Sequence, residues 1–449
     1  MANTKMKVPT AEELVSMWQV SGLKGKLIFT FLMIALFRLG AHIPLFGIDA
    51  EVFRQIIQGG AGGNIIGFLD LFSGGALGRV SIFALGIGPY ITASIIMQLL
   101  SAAVPSLERL QKEEGEEGRR KLSQYTRRFT VILSLFQSFV LMSYLVRINA
   151  LQIDSLISLT FIGAVLTLAT GSVFIMWIAE LITERGLGNG GSLLIFCGII
   201  AGIPFYMQKT GQLVAGQAGM QLGLVILILI FLATVVMIII MQEAMRKVVI
   251  VNARRQVGNK VYGGINTHIP FKLNPGGVMP IIFAVAILLF PSTILSVAGQ
   301  ANIPEGFLKE MINFLSNTLF NPGGISYYVL YFFLIVALTF FYASIMPNMQ
   351  PKDIAKNLKK HGSSIPGIKP GIPTADALEK ILSRVTFIGA MGLGVIALIP
   401  GIATSITKIT PLQGIGATAL IIMVGVALDF INQIKTHLLA RQYEGFLKQ

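Results

Sequence analysis

Long apolar runs alternate with short polar connections along the whole chain. A helix needs about 20 apolar residues to cross a hydrocarbon core of roughly 30 Å, and ten runs come close to that length. They lie near residues 27–45, 80–104, 129–146, 156–182, 191–207, 222–242, 278–298, 325–346, 385–406 and 412–434. Because a helix satisfies its own backbone hydrogen bonds, this pattern predicts an all-α membrane protein with ten transmembrane helices.

Composition agrees with the pattern and limits the kinds of site that the chain is expected to contain. Hydrophobic residues make up 54% of the 449 residues and charged residues only 12%, which is about half the charged share of a soluble domain. The single cysteine, Cys197, lies within an apolar run, and the four histidines are scattered. The sequence therefore predicts no disulfide framework, no metal site and no cofactor.

The net charge of +14 is distributed unevenly between the two sides of the predicted membrane. Of the 35 lysines and arginines, 28 fall in segments on one side and six on the other, while Arg38 lies within the first span. Basic residues tend to stay in the cytoplasm during insertion. We therefore expect both termini to be cytoplasmic, with a polar N-terminal segment at 1–26 and a tail at 435–449.

A short external connection at 209–221 divides the ten predicted spans into two groups of five, at 27–208 and 222–434. An odd number of spans in each half would place the two halves in opposite orientations in the membrane. The halves show no convincing sequence repeat, so the division is a prediction from topology alone.

Residues 62–79 read GGNIIGFLDLFSGGALGR and contain an apolar stretch that is too short to cross a membrane. Residues 64–73 suit a helix, but ten helical residues reach only about 15 Å, half of a membrane. Such a helix must lie inside the protein or line an aqueous cavity, and Asp70 would be costly against lipid. Gly74 and Gly75 permit a sharp turn. Two interpretations remain open, a movable apolar plug and a re-entrant helix that only packs.

Two predicted cytoplasmic loops, 243–277 and 347–384, are too long for simple connectors. Residues 248–251 and 260–262 have the pattern of short strands around a basic turn. In the second loop, a short helix with lysines on one side leads to a turn fixed by proline and glycine. The basic residues of the two loops are Arg254, Arg255, Lys260, Lys356, Lys359, Lys360 and Lys369. They suit a phosphate-rich or acidic partner, although the rule for cytoplasmic charge also explains basic loops.

Ionisable residues are scarce within the predicted spans. Arg38, Glu180 and Asp429 are the candidates, and the last two lie near cytoplasmic ends, where packing or capping is the expected role. The sequence contains no phosphate-binding loop, HExxH zinc motif or Ser/His/Asp constellation. We therefore expect no catalysis, with any energy source on a partner. Several spans carry an isoleucine near mid-depth, where packing or contact with lipid is the usual role.

Five motifs identify the chain as resembling the SecY family, the central subunit of the bacterial protein-conducting channel. They read FSGGALGRVSIFALGIGPYITASIIMQLL, EEGRRKLSQYTR, ITERGLGNGGSLLIF, THIPFKLNPGGVMP and NLKKHGSSIPGIKPG. The resemblance runs in order from about residue 20 to 445 and includes the closing QYE at 442–444. It implies two pseudo-symmetric five-helix halves around a central pore, opened sideways between the second and seventh spans.

The resemblance also assigns residues to roles. The short helix at 62–75 would be the channel plug, with Asn64, Ile65, Ile66, Phe68, Leu69, Asp70, Leu71, Phe72, Gly74 and Gly75. An apolar pore ring would comprise Ile87, Ile91, Gly191, Ile195, Ile282 and Ile422, and polar gate residues would be Thr92, Gln98 and Asn274. Two positions depart from the family pattern. Gly191 stands where relatives often have a larger apolar residue, and Lys369 replaces an arginine, which keeps the charge but loses bidentate geometry.

The resemblance implies the partners too. The two long loops would bind the ribosome, including its rRNA, during co-translational insertion and the SecA ATPase during secretion. SecE would clamp the two halves, SecG would join the complex, and signal peptides, nascent chains and membrane lipids would contact the channel. The expected location is the plasma membrane, with a multi-pass topology.

Two other classes of protein are weighed against this interpretation. A secondary transporter with a re-entrant segment would need an ionisable site at the midplane of the membrane, and none is found. A membrane-embedded enzyme would need paired catalytic side chains at one depth, which are also absent from the sequence.

Overall fold

A computed structural model describes most of the chain, and the statements below refer to that part alone. The described residues are 22–46, 70, 73–112, 115–147, 158–216, 220–252, 255–257, 260–262, 266–299, 310–311, 314–315, 318, 324–345, 350–407 and 417–447. Within them the main helices are Leu23–Gly40, Gly88–Ala103, Pro105–Lys112, Gly115–Arg147, Leu159–Arg185, Gly190–Ala215, Met220–Glu243, Met279–Gly299, Ile325–Ile345, Pro351–Lys360, Ile372–Thr407 and Ala417–Leu447.

Seven helices of the described part are long and apolar enough to cross a membrane. Their spans are Gly115–Val146, Leu159–Arg185, Gly190–Ala215, Met220–Glu243, Ile325–Ile345, Ile372–Thr404 and Thr418–Leu438. The other three predicted positions are not among these seven spans. One of them carries Lys24, Lys26 and Arg38 within its 18 residues, and the other two contribute the shorter apolar stretches Gly88–Ala103 and Met279–Leu288. The predicted helical membrane fold is confirmed, and the number of ten spans stays a prediction.

The outward faces of these helices are apolar. Along Met220–Glu243 the exposed side chains include Leu222, Val225, Leu229 and Leu232, with exposed fractions from 54% to 71%. Exposure of such an apolar surface to water is unfavourable in free energy, whereas contact with lipid tails carries no such penalty. Between Gln221 near its start and Gln242 near its end, Thr234 is the one polar residue of this helix, and it is buried.

The second predicted span, at 80–104, begins later than expected. Residues 74–87 form turns, and the helix runs only from Gly88 to Ala103. Gly86 and Val80 both have positive φ, 57° and 45°, which a helix does not allow. The non-helical part is nevertheless buried at Leu77, Val80 and Phe83. Apolar character alone does not distinguish a buried irregular segment from a helix, so this boundary was wrong.

The chain divides into two compact units, Met1–Pro204 with Val426–Gln449, and Phe205–Gly425. In the first unit a core cluster joins the irregular segment to the third and fourth predicted spans. It consists of Leu45, Leu77, Val80, Ala84, Met142, Leu145, Phe161, Ala164 and Leu168. Two interactions extend this packing: Ser172 Oγ donates to the Gly86 carbonyl at 3.3 Å, and Arg127 Nε forms an ion pair with Glu180 Oε1 at 2.8 Å.

The second unit contains two small antiparallel sheets. Strand β1 (Met245–Asn252) pairs along its length with β4 (Asn266–Lys272) and, at its end, with β5 (Ser363–Ser364). Strands β2 (Arg255–Val257) and β3 (Lys260–Tyr262) form a separate hairpin. The predicted strands at 248–251 and 260–262 are therefore confirmed, but they pair with different partners rather than with each other. A cluster beneath the larger sheet contains Val248, Phe271, Ile365, Leu378 and Leu382.

The helix Leu159–Arg185 offers a test of the close packing in the first unit. A Cβ on Gly171 would collide with the backbone carbonyl of Ile82, whereas a Cβ on Gly163 would meet nothing within 4 Å. We expect Gly171→Ala to destabilise the protein by about 1–3 kcal/mol, because the added methyl forces apart two backbones. The measurement is the thermal unfolding midpoint of purified protein in detergent.

Gly163→Ala is the matched control, because it adds the same methyl to the same helix and improves helix propensity. It should leave the unfolding midpoint unchanged or raise it. Equal midpoints for the two variants would contradict the close contact between Gly171 and the irregular segment.

Candidate functional site

The short helix that the sequence predicts at 62–75 is described only at its C-terminal end. Asn64, Ile65, Ile66, Phe68, Leu69, Leu71 and Phe72 lie outside the described residues. Asp70 and Ser73 are helical, and Gly74 and Gly75 follow with φ of 71° and 82°. The N–H of Gly75 donates to the carbonyl of Asp70 at 2.9 Å, the six-residue bond that closes a helix of this type with glycine in the left-handed conformation.

The end of this helix is connected to the following turn by side chains; we call Asp70 and residues 73–78 the plug root. Asp70 Oδ1 accepts a hydrogen bond from the N–H of Gly78 at 2.6 Å. Ser73 Oγ accepts from the N–H of Leu77 and donates to the carbonyl of Asp70, both at 3.0 Å. The two glycines therefore lie within a hydrogen-bonded turn, in agreement with the sharp turn that the sequence predicts.

Two other helices hold the plug root in place. Arg38, in the last turn of Leu23–Gly40, donates from Nη1 to the carbonyl of Gly74 at 2.7 Å. On another side, a Cβ on Gly74 would lie 2.9 Å from the Cα of Gly198, in the helix Gly190–Ala215. The sequence identified Arg38 only as an ionisable residue within the first predicted span, and it did not indicate Gly198.

The six expected ring residues are divided between the two units. Ile87, Ile91, Gly191 and Ile195 belong to the first unit, and Ile282 and Ile422 belong to the second. The exposed fraction is at most 3% for Ile87, Ile195, Ile282 and Ile422, and Ile91 is partly buried. Within the first unit the structure brings two of them together, because a Cβ on Gly191 would lie 3.6 Å from Ile87 Cδ1. The space left by the missing side chain of Gly191 therefore borders Ile87.

The three expected gate residues make local hydrogen bonds. Thr92 Oγ1 donates to the carbonyl of Gly88 at 3.1 Å, and Gln98 Nε2 to Ser94 Oγ at 3.3 Å. Asn274 is 1% exposed, and its Nδ2 donates to the carbonyl of Gly277 at 2.6 Å. Its Oδ1 is buried and has no hydrogen-bond partner in the described part of the chain. A buried amide oxygen of this kind is costly and can accept a hydrogen bond from an incoming group.

The two predicted cytoplasmic loops form one structure in the second unit, which we call the loop platform (β1, β4, β5 and the helix Pro351–Lys360). The pairing of Val251 with Ser364 and of Asn252 with Ser363 joins one loop to the other. Lys356, Lys359 and Lys360 are exposed on the short helix, and Lys369 is exposed in the turn that follows. Arg254 lies outside the described residues, and Arg255 and Lys260 are placed on the β2–β3 hairpin by their backbone alone.

The long apolar helices define the class of this molecule, a multi-pass helical membrane protein. The family model for SecY matches residues 81–431. The chain belongs to the SecY family. It is a pore-forming subunit of a protein translocase, acting in protein translocation across a membrane.

Individual relatives agree with this assignment. The chain is 46% identical over 451 residues to the protein translocase subunit SecY of Synechococcus elongatus, and the match covers 100% of both chains. Its fold is similar to a SecY channel whose plug domain stabilises the closed state and maintains a membrane seal, with a TM-score of 0.64, 18% identity and 92% of each chain covered. It is also similar to Sec61 in the canine ribosome-channel complex, with a TM-score of 0.60, 18% identity and the same coverage.

Proposed function

We propose that this subunit conducts unfolded polypeptides through an apolar constriction and releases hydrophobic segments sideways into lipid. The constriction is the ring of Ile87, Ile91, Gly191, Ile195, Ile282 and Ile422. The observation that carries this proposal is the burial of four of these isoleucines, which are at most 3% exposed. They lie inside the protein, although apolar side chains also cover the outer faces of its helices. Branched apolar side chains around a narrow path form a dry barrier to ions, and an extended chain displaces them as it passes.

In this proposal the short helix at 62–75 closes the outer side of the path as a plug. Its ordered root, packed against Arg38 and Gly198, supports a position inside the protein rather than in lipid. The plug of the similar SecY channel stabilises the closed state of that protein, which favours the same role here. The chain supplies no catalysis, and the driving energy comes from a ribosome or from the SecA ATPase.

Deletion of residues 65–73 tests the plug and separates the channel from a transporter. We expect the deletion to raise the resting ion conductance of channels reconstituted in planar bilayers, because the outer side of the path loses its stopper. Polypeptide translocation should continue. The control is the full-length channel at the same density in the same lipid. Unchanged conductance would contradict the plug, and saturable uptake of a small solute that the deletion abolishes would favour a transporter.

The gate between the second and seventh predicted spans is proposed to contain Thr92, Gln98 and Asn274. Interhelical hydrogen bonds in membranes contribute about 0.6–2 kcal/mol each. A few such bonds hold a gate closed against thermal motion and yield to an apolar signal helix, whose burial contributes about 25 cal/mol per Å². The unpartnered Oδ1 of Asn274 supports this role, since it has an unused capacity to accept.

We expect Asn274→Leu to change the hydrophobicity that a signal sequence needs for export, because it replaces a buried amide with an unpartnered oxygen by an apolar side chain at the proposed gate. The measurement is export of one reporter behind signal sequences of graded hydrophobicity. Thr386→Val is the control, because Thr386 Oγ1 is another buried, unpartnered oxygen in the described part of the same unit. An unchanged threshold for Asn274→Leu, or an equal shift in Thr386→Val, would contradict the gate role.

We propose that the loop platform docks the ribosome and SecA in turn. We also propose that both termini are cytoplasmic and that the protein lies in the plasma membrane. The exposed lysines of the platform complement rRNA phosphates or an acidic protein face. Sec61, a protein of similar fold, occurs in a ribosome-channel complex. We propose further that SecE clamps the two halves and SecG joins them, while signal peptides, nascent chains and lipids contact the channel.

Reversal of charge at Lys369 tests docking at the platform. We expect Lys369→Glu to weaken binding of both ribosomes and SecA about tenfold at low salt, because an attractive contact becomes repulsive. The measurement is the affinity of each partner for the reconstituted channel. Lys369→Arg is the matched control and should keep or strengthen binding. Loss of protein from the membrane in Lys369→Glu, or unchanged affinity for both partners, would contradict a docking role.

A further inference from the structure

The plug root concentrates polar interactions at one point of an apolar protein. Asp70, Ser73 and the backbone of Gly75, Leu77 and Gly78 form a closed set of hydrogen bonds. These bonds fix the shape of the root but not its position against the neighbouring helices. Its position depends on what the root touches outside itself.

Arg38 makes the polar contact from outside. Its guanidinium donates to the carbonyl of Gly74, one residue beyond the end of the plug helix. Carbonyl groups at a helix C-terminus carry partial negative charge and attract cations. Within the described residues Arg38 forms no ion pair with a carboxylate, so this carbonyl is the acceptor that its guanidinium meets there.

The steric contact comes from Gly198 on another helix. Gly74 and Gly198 approach so closely that a Cβ on Gly74 would lie 2.9 Å from the Cα of Gly198 and also 2.9 Å from Arg38 Nη1. Real Cβ atoms do not come so near a backbone atom, so the root fits between Arg38 and Gly198 only because residue 74 is glycine.

We propose that Arg38 is a positioning residue that latches the plug root in the closed channel, with Gly198 as the opposing surface. This inference rests on the proposed role of residues 62–75 as a plug. The latch acts on the main-chain carbonyl of Gly74. It therefore holds the root without using any side chain of the plug helix. When the latch is lost, the root leaves its seat and the plug closes the channel less often.

The experiment is the resting ion conductance of the complete channel complex in planar bilayers. We expect Arg38→Gln to raise this conductance about ten- to hundredfold, the range that corresponds to loss of one hydrogen bond from a charged donor. Arg38→Lys keeps a cationic donor and should restore most of the seal. Arg79→Gln is the matched control for charge, because it removes one nearby positive charge while Arg79 Nη1 has no hydrogen-bond partner in the described part of the chain.

A double variant decides whether Arg38 acts through the plug. In a channel that lacks residues 65–73, Arg38→Gln should add nothing to the conductance. A further rise there would overturn the latch, because Arg38 would then act on the wall of the path. Equal effects of Arg38→Gln and Arg79→Gln in the full-length channel, or no effect of Arg38→Gln, would overturn it as well. If the deletion alone leaves the conductance unchanged, the proposed role of the plug is contradicted, and the latch proposal, which rests on it, is contradicted as well.

A glycine pair tests the same latch without touching Arg38, in case Arg38→Gln does not fold. Gly74→Ala and Gly75→Ala both place a methyl at positive φ, so their backbone strain is similar. Only the methyl at residue 74 meets Gly198 and Arg38, since a Cβ on Gly75 meets nothing within 4 Å. The latch therefore predicts a much larger rise in conductance for Gly74→Ala. Equal rises in the two variants would overturn it.

Discussion

The structure depends on one constraint, that backbone N–H and C=O groups away from water must find partners within the protein. The spanning helices meet it internally. The irregular segment before Gly88 meets it through other parts of the chain, because Leu45 N donates to the carbonyl of Val80 at 2.9 Å and Ile82 N to that of Ile43 at 3.1 Å. A non-helical segment can therefore be buried among helices and lead into the next span.

The same constraint explains where glycine is used. A backbone that must reach a carbonyl or another backbone at close range has no room for a side chain, as at Gly171 against Ile82 and at Gly389 against the carbonyl of Leu273. Glycine is unfavourable within a helix by about 1 kcal/mol relative to alanine. The close approach compensates for that cost by bringing helix and irregular segment into contact across their backbones.

The sequence predicted the elements better than their connections. Apolar runs identified the helices because a bilayer selects for composition, and the lysines of Pro351–Lys360 were correctly placed on an exposed helix. The start of the second span was wrong because Leu77, Val80 and Phe83 are as apolar as a span and yet lie in turns. The contact of Arg38 with Gly74 was missed because hydrogen bonds to a main-chain carbonyl leave no pattern of side chains to detect.

A plug of the proposed kind must both seal and open, and the hydrogen bonds of the plug root bear on how these two demands are divided. Nearly every hydrogen bond at the root has a main-chain group on at least one side: the carbonyls of Asp70 and Gly74 accept, and the amides of Gly75, Leu77 and Gly78 donate. Main-chain groups have fixed positions, so a few polar bonds define the geometry of the root sharply. Apolar contacts lack direction and are exchanged for others at little cost when a chain displaces them. The directional hydrogen bonds therefore fix the geometry of the root, whereas the isoleucines of the proposed ring can be displaced by a passing chain.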